Sequence, residues 1–148
     1  MLQQADREEI IRRLVYLQNE LQDNNLYINT TWNEYQQDRR KRRELERWVE
    51  NIVNCTIDIS KVVLGSLNLP LPETYRDTLK NLDATNRFKK GLGKKMSEWA
   101  KLRNVLAHEY LYIRWESIKS FLKNVELLSG DFVKGINIFL EDDHMRKS

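Results

Sequence analysis

Arg103, Asn104, His108 and Tyr110 fall within one short stretch, Leu102-Arg103-Asn104-Val105-Leu106-Ala107-His108-Glu109-Tyr110. His108 is one of only two histidines in the chain. A histidine titrates near neutral pH and can take or give a proton. An arginine is permanently charged and forks onto phosphate oxygens. Paired, the two suit phosphodiester cleavage without a metal: proton transfer by His108, and stabilisation by Arg103 of the negative charge that develops on the phosphorus oxygens.

The spacing predicts how a helix would present them. On an ideal helix each residue turns about 100° and rises about 1.5 Å. Trp99, Leu102, Leu106 and Ile113 then share an apolar stripe. His108 points to about 160° from its centre. Asn104 lies one turn before His108, so the two stack on the polar face and Asn104 can orient the ring or bind the phosphate. Arg103 lies about 140° round from His108 and about 7.5 Å along the axis. A long side chain, a kink, or a second copy of the chain would have to close that gap. On the same wheel Tyr110 lies within about 40° of the apolar stripe, which makes a core tyrosine with a rim hydroxyl its simplest role. Tyr112 falls on the polar side.

The elements that must position these residues are helices throughout. Ile10, Leu14, Leu17 and Leu21 give an amphipathic helix over 6–22, ended at Asn24-Asn25. Thr31 with Glu34 three residues later matches a capping box, and a long second helix follows to about Leu64. Its stripe of Leu45, Trp48, Ile52, Cys55, Ile59 and Val62 is that of a helix packed along others in a bundle. Cys55 within it is a small buried hydrophobe, not a nucleophile. Gly65-Ser66 and Pro70-Leu71-Pro72 break that helix. A short third helix runs from about Glu73 to Leu82, with Tyr75, Leu79 and Leu82 inward, and 83–86 is a turn. Phe88, Leu92, Met96, Trp99, Leu102 and Leu106 trace a fourth helix, loosened by Gly91 and Gly93, with the Arg/His stretch in its C-terminal half. Trp115, Ile118, Leu122 and Val125 form a fifth, stopped by Ser129-Gly130, and Phe132, Ile136, Phe139 and Leu140 a terminal one. His144 falls in a tail expected to fray.

The expectation is therefore an all-α, up-down bundle of about five to six helices, a single domain spanning 1–148. Of the 148 residues 41% are hydrophobic and 32% charged, with five Gly and two Pro, which favours helices. One cysteine excludes an internal disulfide and suits a reducing cytosol. No apolar run approaches the roughly 20 residues that span a bilayer, and Met1–Asp6 carries no signal-peptide pattern, so a cytoplasmic location without a membrane partner is expected. No metal-ligand cluster, Gly-rich phosphate loop or nucleophile elbow is present. The net charge of +3 permits nucleic-acid binding without arguing for it. Arg39-Arg40-Lys41-Arg42-Arg43, the most basic run, is either a solvated face balanced by Asp38, Glu44 and Glu46 or a phosphate-contacting flank.

Arg-x-x-x-x-His-x-Tyr, here Arg103 to Tyr110, resembles the signature of the HEPN superfamily and, more narrowly, of HepT toxins. The upstream landmarks fit the same resemblance. Leu45-Glu46-Arg47 opens a long helix containing Ile57-Asp58-Ile59-Ser60, and Leu71-Pro72-Glu73-Thr74-Tyr75-Arg76 leads into a short helix ending Asn81-Leu82. The likeness covers roughly residues 6–128. A bare Arg-x-x-x-x-His is weak; with the Asn, the His-x-Tyr and the ordered landmarks it becomes specific. The resemblance implies a HEPN-like bundle and a metal-independent endoribonuclease acting as a homodimer, with Arg103 and His108 catalytic and no cofactor. It also implies a toxin paired with an MntA-like minimal nucleotidyltransferase antitoxin that transfers AMP onto Tyr110, with Tyr112 the alternative acceptor. Glu109 is then a surface charge, and Glu46 and Asp58 serve as bundle salt bridges or caps.

Two other readings stay open at this point. One keeps the fold and drops the chemistry: a catalytically inactive HEPN nucleotide-binding or scaffolding partner of a minimal nucleotidyltransferase. The other is a helical interaction module whose basic run binds nucleic acid nonspecifically.

Overall fold

The computed structural model describes residues 2–108 and 110–147, apart from the side chains of His108, Arg146 and Lys147. Helices α1 (Gln4–Leu21), α2 (Asn24–Tyr27), α3 (Trp32–Gln37) and α4 (Arg39–Ser66) form the first half. Helices α5 (Tyr75–Lys80), α6 (Leu92–Met96), α7 (Leu102–His108) and α8 (Leu111–Lys147) form the second, with 3₁₀ turns at Asn81–Thr85 and Ser97–Lys101. The fold is all-α, and the described residues contain no strand.

Helix α4 is the central rod. Its Leu45, Trp48, Ile52, Cys55 and Ile59 are buried as the period requires, but so are Val49, Val53, Ile57, Val63 and Leu64. The buried arc is wide because α4 is covered on one side by α1 and on others by α3, α5 and α7. From α1, Ile10, Leu14 and Leu17 meet it. Two polar residues on α4 are fully buried, and each is satisfied within the helix: Thr56 donates to the Ile52 carbonyl (2.8 Å) and Ser60 to that of Thr56 (2.7 Å). Val62 is only partly buried.

The expected second helix is two. The capping box forms at Thr31, whose hydroxyl accepts from the Glu34 amide while the Glu34 carboxylate accepts from the Thr31 amide. Seven residues on, Asp38 takes an extended conformation (φ −99°, ψ 96°) and caps a new helix by accepting from the Lys41 amide at 3.0 Å. Asp38 is thus an N-cap as well as a charge beside the basic run. At the other end of α1, Asn24 opens the short α2 instead of ending a helix.

The expected fourth helix is three segments. Gly91 adopts φ +81°, which suits the residue without a side chain, at the start of α6. The Asp83 carboxylate then accepts from the Gly93 and Lys94 amides at 2.8 and 3.0 Å. The 3₁₀ turn at Ser97–Lys101 advances faster per residue than an α-helix, yet Leu92, Met96, Trp99, Leu102 and Leu106 all remain buried.

Ser129-Gly130 does not stop the last helix. Helix α8 is continuous through Lys147 because Leu128, Phe132 and Ile136 stay buried across that point. Each such side chain is worth about 1.5–3 kcal/mol of burial, more than the roughly 1 kcal/mol that a mid-helix glycine costs. Gly135 is required by packing: a Cβ there would lie 2.1 Å from Phe88 Cδ1. The tail is pinned where fraying was expected. Asp143, buried on α8, accepts from the Leu2 amide (2.9 Å) and pairs with Arg7 (3.5 Å), and the exposed His144 belongs to the same helix.

Candidate active site at the junction of the last two helices

Helix α7 is described to His108 and α8 starts at Leu111, with Tyr110 outside both helices. Tyr110 is the N-cap of α8: its carbonyl accepts from the Arg114 amide at 3.0 Å. Its side chain is 83% exposed. The ideal-helix expectation that placed Tyr110 beside the apolar stripe fails because the helix does not run through it. Ile113 fails for the same reason and is exposed, while Trp115 turns inward instead. Tyr112 is also exposed, but its ring meets Trp32 edge-on at 5.6 Å. Tyr110 is the more open of the two hydroxyl-bearing side chains.

Arg103 and Asn104 both project from α7 into solvent. The backbone is α-helical from Leu102 to His108, so no kink closes the distance between Arg103 and His108. The His108 side chain and all of Glu109 lie outside the described residues. Arg103 lies over the ring of Tyr75, with Cζ 4.4 Å from the centroid. The same ring carries Lys61 of α4, with Nζ at 4.6 Å. Tyr75 opens α5 and was expected inward with Leu79 and Leu82. Those two are fully buried, while Tyr75 is 39% exposed and turned toward the cations. Beside it a groove of about 300 Å³ is lined by Glu73, Tyr75, Arg76, Glu98, Lys101 and Asn104, among others.

A second layer fixes the junction itself. Arg114, in the first turns of α8, donates through Nη1 to the Leu106 carbonyl of α7 at 3.4 Å, and its Nε lies 3.4 Å from Glu46 Oε2. Glu46 in turn accepts from the Tyr35 hydroxyl. Burial and the Glu46 carboxylate both push the Tyr35 hydroxyl well above the usual phenol range, so it stays a donor. The expected salt-bridge role of Glu46 is therefore met, and so is that of Asp58, which pairs with Arg13 at 3.1 Å. Neither Arg114 nor Lys61 carries a sequence signal, since single cations on helices are common; Tyr75 lies inside a family landmark whose spacing points it to the core.

Cys55 is buried and donates to the Arg13 carbonyl at 3.2 Å; burial pushes its thiol up to about 11, which suits a structural residue. In the basic run Lys41 pairs with Glu34, Arg40 with Glu44 (3.2 Å), and Arg42 donates to the Tyr35 and Gln36 carbonyls. Arg39 and Arg43 are exposed. The described residues contain no group of three or more His, Cys, Asp or Glu placed to hold a metal ion, and no helix long and apolar enough to cross a membrane.

An exposed arginine and asparagine on a short helix, followed by an exposed tyrosine, sit on an all-α bundle. The fold is shared with a solved structure. The chain superposes on a tri-AMPylated Shewanella oneidensis HEPN toxin, solved in complex with an MNT antitoxin, with a TM-score of 0.69 over 88% of this chain and 95% of that one. At 18% identity this likeness speaks for the fold. A family model described as ribonuclease HepT-like matches residues 17–129. The chain belongs to the HepT-like ribonuclease family, and ribonuclease is its activity class. No curated protein matches its sequence.

Proposed function

We propose that this chain is a single-domain, metal-independent endoribonuclease toxin of the cytoplasm, in which Arg103 and His108 cleave RNA. RNA brings its own nucleophile, the 2′-hydroxyl beside each phosphate. His108 takes the proton of that hydroxyl as its oxygen attacks phosphorus, and the 5′-oxygen leaves with a proton supplied by a second acid. Arg103 stabilises the pentacoordinate phosphorane, and Asn104, one turn before His108, orients the ring or holds a phosphate oxygen. The products are a 2′,3′-cyclic phosphate and a 5′-hydroxyl. The observation that carries this reading is the exposure of Arg103 and Asn104 on a helix that ends at His108 in a HepT-like ribonuclease. With no kink inside α7, a homodimer that brings two Arg/His sets to one RNA supplies the second acid and relieves the angular mismatch.

Tyr110 is the control point in this proposal. A minimal nucleotidyltransferase antitoxin transfers AMP from ATP to the Tyr110 oxygen, releasing pyrophosphate. The added phosphodiester then competes with RNA for Arg103 and repels further phosphate. An 83% exposed N-cap tyrosine is accessible to such an enzyme, and the Shewanella relative is tri-AMPylated in complex with its MNT antitoxin.

The test is total RNA incubated with purified chain in EDTA, wild type beside His108→Ala. Cleavage by wild type alone supports the proposal. Equal cleavage by both variants removes His108 from it.

A further inference from the structure

We propose that Tyr75 is a positioning residue that holds Arg103 in place without neutralising it, and that Lys61, on the same ring, is a further phosphate-contacting cation. This rests on the reading of Arg103 given above. The observation is a contrast between the cations on the Tyr75 ring and those of the groove beside it. Arg76 and Lys101 are both engaged by the Glu98 carboxylate, at 4.0 and 3.1 Å. Arg103 and Lys61 instead meet the face of an aromatic ring, at 4.4 and 4.6 Å from its centroid. Among the described residues neither has a carboxylate within ion-pair distance.

The choice of partner matters chemically. A carboxylate would fix a guanidinium but would also occupy its N–H fork and cancel its charge, leaving little for a phosphate. A ring face attracts the cation through its quadrupole and leaves the N–H donors free at the guanidinium edge. It therefore restricts a long, rotamer-rich side chain at little cost to its affinity for an anion. Because both cations share one ring, they lie within about 9 Å of each other. That spacing places Lys61 to hold a phosphate neighbouring the one at Arg103. Lys61 comes from α4, Tyr75 from α5 and Arg103 from α7, so the cluster assembles only when the bundle is packed.

The roles separate in kinetics on a short single-stranded RNA. Tyr75→Leu lowers kcat/KM about 10- to 100-fold, as loss of orientation does, while Tyr75→Phe, which keeps the ring, stays within about twofold of wild type. In an Arg103→Ala background Tyr75→Leu has no further effect. Lys61→Ala raises KM at little change in kcat and flattens the dependence of log KM on log salt by about 0.7, one phosphate contact. Wild-type kcat/KM in Tyr75→Leu, with Arg103→Ala inactive, overturns the positioning role; an unchanged salt slope overturns the Lys61 contact. Full activity of Arg103→Ala overturns the proposed function and this assignment with it. Should Tyr75→Leu fail to fold, NMR of the wild type decides: ring-current upfield shifts of the Arg103 δ protons support the clamp, and their absence overturns it.

Discussion

Glu46 and Arg114 meet at 3.4 Å between the second turn of α4 and the first turns of α8, and the same guanidinium donates to the Leu106 carbonyl of α7. One largely buried ion pair thereby ties together the three helices around the Arg103–Tyr110 stretch. Its partner on the far side is the Tyr35 hydroxyl. Breaking a pair of this kind leaves a charge without compensation in a poorly solvated place. Glu46→Ala or Arg114→Ala should therefore destabilise the fold by about 2 kcal/mol, a fall in Tm of roughly 4–8 °C for a chain of this size. The double variant should be clearly less destabilised than the sum of the singles. Thermal melts of the three variants check this.

Tyr110 should be separable from the chemistry. Tyr110→Phe is expected to retain ribonuclease activity and to gain no AMP when incubated with an MNT-type antitoxin and ATP. Tyr112→Phe should still be modified, since its ring packs on Trp32 and Tyr110 is the more exposed. Intact mass after incubation reads both outcomes. AMP on Tyr110→Phe at wild-type extent would move the acceptor elsewhere.

Cys55 gives the stability a pH dependence. Burial raises its thiol from 9.0 to about 11 in the folded chain, so folding favours the protonated form. That stabilisation is complete below about pH 9 and is lost as the pH rises toward 11. Its full value is of order 2–3 kcal/mol. Stability should fall over that window, and Cys55→Ala should shallow the slope, as measured by urea denaturation from pH 8 to 11. The native thiol should also resist alkylation at pH 8.

The two glycines in α8 should respond in opposite directions. Gly130 is exposed and a Cβ there meets nothing within 4 Å, so Gly130→Ala should stabilise by up to about 1 kcal/mol. At Gly135 the added carbon would collide with Phe88, whose ring is itself stacked on Phe132 with centroids 5.7 Å apart. Gly135→Ala should cost about 1–3 kcal/mol as the ring is displaced. Melting temperatures distinguish the pair.

What was legible in the sequence follows from which physics is local. The buried faces of α1 and of the middle of α4 obey the helical period, and the Thr31 cap is a four-residue signal, so both could be read directly. The split at Asp38 could not, because an aspartate ahead of a basic run serves equally as a cap and as a counter-charge. Ser129-Gly130 looked like a stop because propensity is local, whereas the burial of Leu128, Phe132 and Ile136 that overrides it is tertiary. In the candidate site, Asn104 falls on the exposed face that periodicity assigns it, whereas Arg103, about 140° round from His108 on an ideal helix, is exposed although the period sets it beside the apolar stripe. The exposure of Tyr110 depends on a helix break that periodicity does not encode. Arg114 and Lys61 become meaningful only through Glu46 on α4 and Tyr75 on α5, residues brought near by folding.

In the proposed reaction Arg103 and His108 direct the RNA's own 2′-hydroxyl against its phosphate. The most direct measurement is the chemistry of the new ends on a defined RNA cut by the purified chain in EDTA. The expected ends are a 2′,3′-cyclic phosphate and a 5′-hydroxyl, absent with Arg103→Ala or His108→Ala. Ends bearing a 3′-hydroxyl and a 5′-phosphate would mean that water, not the 2′-hydroxyl, attacks phosphorus, and would contradict it.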